Sequence, residues 1–308
     1  MRLPSQAVEP DVGSALLTRS PRWLPAWARR ARPVLGTLVE ISVADRRPAR
    51  ELNAAIDVAF SCMERIHRLM SFQMPDSELR RLNRDAARRP QNVDPHTYAV
   101  FETAVRIAAS SDGAFDPCVA PRLEGWGLLP RGDSPCDPLA NWRDIELLPG
   151  ARIRYARPLH VDLGGIAKGY AVDLAVQSLQ ANGLEHIVVN AGGDLRIAGP
   201  DSHCVRLRNP SQPSQSANEL ALCDTALATS ANYFSRRASS TGSVAALVNP
   251  HDGTPYLGAH SVSVRAPHCM IADALTKVVL FAPKEIAETV LASFDAQAFV
   301  IQQAGSVS

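Results

Sequence analysis

The sequence predicts an α+β fold built on antiparallel sheets, and two observations carry that assignment. Between residues 187 and 265, short runs of alternating apolar residues succeed one another with turns but no helical stretch between them. Strands joined in that way form antiparallel sheets, which excludes a simple doubly wound nucleotide fold. Helical periodicity is confined to the segments on either side of that region, and no internal repeat or low-complexity tract interrupts the pattern.

In chain order, "LVEISV" (Leu38–Val43) alternates after Gly36-Thr37 and reads as a strand. Leu52, Ile56, Ala59, Met63, Ile66 and Met70 recur at helical spacing, giving a long amphipathic helix that ends near Ser71. Asp94-Pro95 combines an N-cap with proline at the first helical position and opens a helix through about Ser110. "DGAFDPCVAPRLEGWGL" (Asp112–Leu128) is too rich in Gly and Pro for a regular element, and residues 129–150 read as an exposed excursion. A short strand follows near Ile153, then "DLGGIAKGYAVD" (Asp162–Asp173) and a helix closed by Gly183. The β-rich stretch holds "HIVVN", "DLRIAG", "VRLRN", "ELALCDTALATS", "AALVNP" and "HSVSVRA". Helices from about Ala272 to Phe281 and from Pro283 to Phe294 precede a last strand, "AFVIQQ".

Residues 1–31 contain Arg19, Arg22, Trp23, Trp27, Arg29 and Arg30 with scattered prolines and no core periodicity. They are expected to form a poorly ordered extension, leaving 32–308 as the folded unit. Arg29-Arg30 invites a twin-arginine export reading, but Pro33, Gly36 and Glu40 interrupt what should be an apolar segment of about 7–15 residues, so a cytoplasmic protein is expected. No apolar run reaches the roughly 20 residues that span a bilayer. A net charge of +1 gives no global field to recruit nucleic acid. The six cysteines form no C-x-x-C pair and show no zinc spacing, so they read as reduced, mostly buried thiols.

The stretch Asp162–Asp173 poses the chemical question. Glycines at 164 and 165 let a backbone approach a ligand closely, and open N–H groups at a helix start favour anions. Lys168 then adds a cation as the helix begins, so the pattern points to a phosphate-bearing ligand.

Several separated segments fall in a recognisable order: "VLGTLVEI" (Val34–Ile41), "MSFQMPDSELRRLN" (Met70–Asn83), "GAFDPCVAP…GWG" (Gly113–Gly127), "DLGGIAKGYAVD", "VNAGGDLRIAG" (Val189–Gly199), "ATSANY" (Ala228–Tyr233), "VNPHDGTP" (Val248–Pro255) and "ADALTK" (Ala272–Lys277). This ordered set resembles the ApbE family of FAD:protein FMN transferases over roughly residues 33–303. The resemblance implies a T-fold-like α+β architecture with FAD held between its two halves. It also implies Mg²⁺-dependent cleavage of the FAD pyrophosphate, with FMN attached by a phosphoester bond to a threonine or serine of an acceptor flavoprotein and AMP released. Carried over by position, Leu35, Gly36 and Thr37 match the family's turn near the flavin, and Ala114, Phe115 and Asp116 match a segment that contacts FAD. Asp162 and Lys168 match FAD-contacting positions, Asn249 stands where the family has a ligand-side aspartate, and Gly165 matches a backbone carbonyl on the metal. Asp273 matches the carboxylate metal ligand, so Asp273 and Lys168 are the expected catalytic groups.

The sequence departs from that pattern where the metal is concerned. The family's second oxygen ligand, four residues after the aspartate, is Lys277 here, and a protonated lysine has no lone pair to give. Ala246 replaces a histidine, Asp252 a threonine, Gln73 an aromatic residue, and the family's "TSG" turn is Thr229-Ser230-Ala231. Two geometries accommodate Lys277. Thr276 could supply the oxygen, although a one-residue step turns a side chain by about 100° around a helix. Alternatively the ammonium occupies the ligand's place and pairs with pyrophosphate or Asp273. Asp273 itself also has a plain reading as a helix-terminal charge, and Asp194, after Gly192-Gly193, reads as a turn residue. Beside transfer of FMN, two other functions stay open: an FAD-binding relative without transferase activity, and a pyrophosphatase giving FMN and AMP. A redox flavoenzyme fits the resemblance less well.

Overall fold

The structure is a computed structural model that describes residues 15–17, 26–210, 212–231, 237–239 and 242–302. After β1 (Ala15–Leu17), the strands β2 (Ala26–Val34) and β3 (Thr37–Asp45) form a hairpin. Its turn places Leu35 and Gly36 both at positive φ (57° and 73°), the requirement of a two-residue primed turn. Next come α1 (Ala49–Met70), α2 (Glu78–Asp85), β4 (Gln91–Asn92), α3 (Pro95–Ser110) and α4 (Ala120–Gly125). The hairpin β5 (Ile145–Leu148) and β6 (Arg152–Tyr155) leads to α5 (Ala167–Ala181). The β-rich stretch then supplies β7 (His186–Ala191), β8 (Asp194–Ala198), β9 (His203–Asn209), β10 (Gln212–Leu222) and β11 (Ala226–Ser230). A short hairpin, β12 (Arg237–Ser239) and β13 (Gly242–Val244), precedes β14 (Ser261–Ala266), α6 (Cys269–Phe281), α7 (Lys284–Ser293) and β15 (Gln297–Ile301).

The central sheet has seven strands in the order β15-β14-β11-β8-β7-β3-β2, all paired antiparallel. Alternation along β7 divides two cores. Ile187 and Val189 join the large core under α1, α5 and α6, whereas Val188 faces a smaller one with Val205, Leu207 and Leu222 of β9 and β10. Helix α5 lies between α1 and α6 and against β7 and β8, so its N-terminus comes to the end of the sheet where β8 begins.

The expected α+β class with antiparallel sheets is what the chain forms. The expected boundary at residue 32 is not. Ala26–Ala31 belong to β2, Arg29 and Arg30 included, and Ala15–Leu17 pair with β9. Sequence periodicity missed this because β2 is an edge strand whose Trp27 and Arg29 face solvent, leaving no clean apolar face. Trp23 and the other residues at 18–25 lie outside the described residues. The segment 112–128 contains α4, and the excursion 129–150 ends in β5. "AALVNP" contributes one bridge, Val248 to Pro255, rather than a strand. No helix of the described residues is long and apolar enough to cross a membrane.

Candidate functional site

Hydrogen bonds from residues distant in the chain fix the entry to the "DLGGIAKGYAVD" segment. The Asn83 side chain, at the end of α2, accepts from Val161 N (3.0 Å) and donates to Val161 O (2.9 Å), as a neighbouring strand would. Asp162 N donates to Pro117 O at 2.8 Å, joining this segment to the one that carries Phe115 and Asp116. The Asp162 carboxylate accepts from Gly164 N at 3.2 Å, closing a tight turn before α5.

Two residues of α5 then fix α6. A Cβ at Gly169 would lie 2.6 Å from the Cys269 carbonyl carbon, so glycine permits the helices to cross backbone to side. The Asp173 carboxylate accepts from Cys269 N (2.8 Å) and Met270 N (2.9 Å), capping the first turn of α6. That cap explains why α6 begins at Cys269 rather than near Ala272. Asp273 and Lys277 lie one turn apart on α6 and share a face.

This packing gathers four charges. Lys168 ion-pairs with Asp194, the first residue of β8, and its ammonium is 3.9 Å from Asp273 Oδ2. Lys277 Nζ donates to Asp273 Oδ1 and, at 2.9 Å, to the Asp273 backbone carbonyl. Burial would raise the Asp273 carboxyl, but Lys168 and Lys277 outweigh it and hold Asp273 below the ordinary carboxylate range. Asp194 is pushed up to about 7 by burial and by the nearby charge of Asp273, against the pull of Lys168 and Lys277. Burial alone would lower the Lys168 ammonium; Asp194 and Asp273 reverse that and raise it.

Beside the cluster opens a cleft. Ala114, Phe115, Asp116, Asp162, Gly165 and Lys277 line it, together with Ala246, Val248 and Phe281. Lys277 joins cleft and cluster: a Cβ at Gly165 would be 3.3 Å from Lys277 Cε and 3.6 Å from the Phe115 ring. The Asp162 carboxyl is raised by burial, against its Gly164 hydrogen bond and the charge of Lys277. Asp116 is likewise raised by burial; it caps the turn at Cys118 (2.8 Å) and accepts from Trp142 N (3.4 Å). Burial and Asp116 push the neighbouring Cys118 thiol well up, which leaves it an inert structural group.

The structure therefore brings together most, but not all, of the residues singled out from sequence. Leu35, Gly36 and Thr37 do not line the cleft. Thr37 packs instead on Gly192, where a Cβ would be 3.0 Å from that of Thr37, in the turn leading to Asp194. Asn249 spends its amide on its own turn, donating to Asp252 Oδ2 (3.0 Å) and accepting from His251 N (3.1 Å). Tyr233 lies outside the described residues. Thr276 is not a slipped oxygen ligand. Its fully buried hydroxyl contacts Ser230 Oγ (2.7 Å) and donates to Asp273 O (2.6 Å). Asp194, expected as a turn residue, is a buried member of the charge cluster. The available signal was a lone carboxylate starting a strand whose positions 195, 197 and 198 are apolar. Asp173 went unassigned as well, although a charge on the buried stripe of α5 marks it.

The cluster does not fit Mg²⁺, which demands near-octahedral oxygen coordination. Lys277 holds Asp273 Oδ1, while Asp273 Oδ2 faces Lys168 and accepts from Gly169 N at 3.4 Å. An ammonium and a dication about 4 Å apart repel by about 8 kcal/mol at an effective dielectric near 20. No group of three or more His, Cys, Asp or Glu side chains able to hold a metal exists among the described residues.

A cleft lined by Gly165 and two phenylalanines, beside two half-buried lysines, has the chemistry to take an anionic ligand that carries a ring system. The chain belongs to the ApbE family, which its residues 35–300 match. It is 29% identical over 275 residues to the FAD:protein FMN transferase of Treponema pallidum, covering 80% of this chain and 76% of the relative. With the protein of the same name from Vibrio cholerae it shares 31% identity over 262 residues, 79% of this chain and 78% of the relative. The ApbE protein of Thermotoga maritima superposes with a TM-score of 0.80 at 26% identity, covering 92% of this chain and 96% of that one. The flavin transferase ApbE from Vibrio cholerae, at 24% identity, shares the fold with a TM-score of 0.74 over 92% of this chain and 96% of that one.

Proposed function

We propose that this chain transfers FMN from FAD to a threonine or serine hydroxyl of an acceptor flavoprotein. The observation that carries this reading is the meeting of four of the family's separated segments, those of Phe115, Asp162, Val248 and Lys277, on one cleft whose cation is Lys277. Gly165 lets the pyrophosphate approach the backbone, and Phe115 and Phe281 offer an apolar wall to a ring. The acceptor hydroxyl oxygen forms the new phosphoester bond to the flavin-side phosphorus, the bridging P–O bond breaks to release AMP, and the hydroxyl proton passes to solvent. The Mg²⁺ expected from the resemblance has no part in this reading, because the residues around Asp273 do not fit it. The cytoplasm is kept as the proposed site of action, supported by Arg29 and Arg30 lying inside β2.

One observation favours a second reading, retention of FAD without transfer. Lys277 pairs with Asp273, and Ala246 on the cleft wall offers no proton-transfer group. Incubation with FAD and a threonine-bearing acceptor, read by intact mass, separates the outcomes. A mass gain of one FMN on the acceptor supports transfer. FMN and AMP with an unmodified acceptor indicate a pyrophosphatase, and FAD retained intact indicates binding alone.

A further inference from the structure

We propose that Lys277 is the built-in cation of this site, holding the ligand's pyrophosphate where a divalent metal would otherwise be needed. The inference rests on the reading that FAD is the ligand. Three observations lead to it, and the first is position. Lys277 lines the cleft and runs beside Gly165, whose missing Cβ leaves room for the lysine stem and the Phe115 ring.

The second is anchorage. An ammonium carries three donors. Two are engaged by Asp273, through its carboxylate and its backbone carbonyl, and these fix Nζ at the boundary between cluster and cleft. The third donor remains for a ligand in the cleft. Asp273 thereby becomes a positioning residue for the lysine, in place of a metal ligand. The Asp173 cap and the close approach at Gly169 hold the helix that carries both.

The third is charge. Lys168 is committed to Asp194 and stands 3.9 Å from Asp273, so each ammonium of the cluster already faces a carboxyl group. A dication added to this group would meet two ammonium groups and a carboxylate already engaged on both oxygens. Among the residues that line the cleft Lys277 is the cation open to a diphosphate, beside the Asp116 and Asp162 carboxyls. The buried Thr276 hydroxyl is held instead by Ser230 Oγ (2.7 Å) and Asp273 O (2.6 Å).

The test is FAD binding by the full chain, measured by calorimetry in EDTA and in millimolar Mg²⁺, with Mn²⁺ alone as a paramagnetic probe of the metal site. The expected result is an FAD affinity equal in the two buffers to within about twofold, and no stoichiometric Mn²⁺ signal with or without FAD. Lys277→Met, which keeps the stem and removes the charge, should weaken FAD binding by about tenfold or more. Lys277→Thr should bind Mn²⁺ in the presence of FAD. Binding that appears only with Mg²⁺, or a stoichiometric Mn²⁺ site in the parent, overturns the inference and leaves the proposed function standing. Failure to bind FAD in either buffer overturns both. A folded Lys277→Met that binds FAD as the parent does also refutes the assignment. Should that variant fail to fold, the parent's behaviour in EDTA decides alone.

Discussion

Replacing Lys168 with methionine tests the charge cluster independently of any ligand. The methionine keeps most of the stem and removes the ammonium. Asp194, with its side chain 2% exposed, then loses its partner, while Asp273 keeps Lys277. Breaking a buried pair from one side typically costs about 3–5 kcal/mol, because an uncompensated charge stays behind. At about 2 °C per kcal/mol for a chain of this size, the melting temperature should fall by roughly 6–10 °C. The loss should depend on pH with a definite sign. Asp194 is already pushed up to about 7 in the folded state, above the ordinary carboxylate range, and removing Lys168 raises it further. A carboxyl with a raised folded-state pKa binds more protons folded than unfolded, so its contribution is greatest at low pH and is lost as pH rises through the folded value. The defect of Lys168→Met should therefore be largest near pH 8 and shrink towards pH 5. Adding Asp194→Asn should recover most of the loss near pH 8, since the double variant buries no unpaired charge. Calorimetry of the parent, both single variants and the double variant at the two pH values is the assay. A melting temperature within about 2 °C of the parent, or a defect equal at both pH values, would refute the reasoning.

Two further predictions concern how α5 holds α6. Gly169→Ala places a Cβ against the Cys269 carbonyl and should cost about 1–3 kcal/mol in a denaturant titration, with the slope unchanged. Asp173→Ala removes the acceptor for Cys269 N and Met270 N and should cost about 1–2 kcal/mol, with Asp173→Asn recovering part; equal losses in the two variants would show that the cap is not what matters.

The sequence by itself determined the class of fold and singled out several of the segments that line the cleft. Strands without intervening helices between residues 187 and 265 dictate antiparallel pairing, and Asp94-Pro95 starts α3 where it reads as a start. The ordered segments likewise located the cleft, since Phe115, Asp162, Gly165 and Lys277 meet there. These features are legible because they rest on periodicity and on residue types with few local alternatives. Tertiary structure decided the rest. Strand β2 owes its existence to nine residues of register with β3, and no local signal in "AWARRARPV" announces it. Asp194 looks like any residue after two glycines until β8 carries it under Lys168. Between Thr276 and Lys277, one position apart on α6, the choice was made by Ser230 from β11, which takes the threonine hydroxyl and leaves the ammonium to Asp273. Which charges become neighbours depends on contacts between residues far apart in the chain, and spacing along one segment cannot encode them.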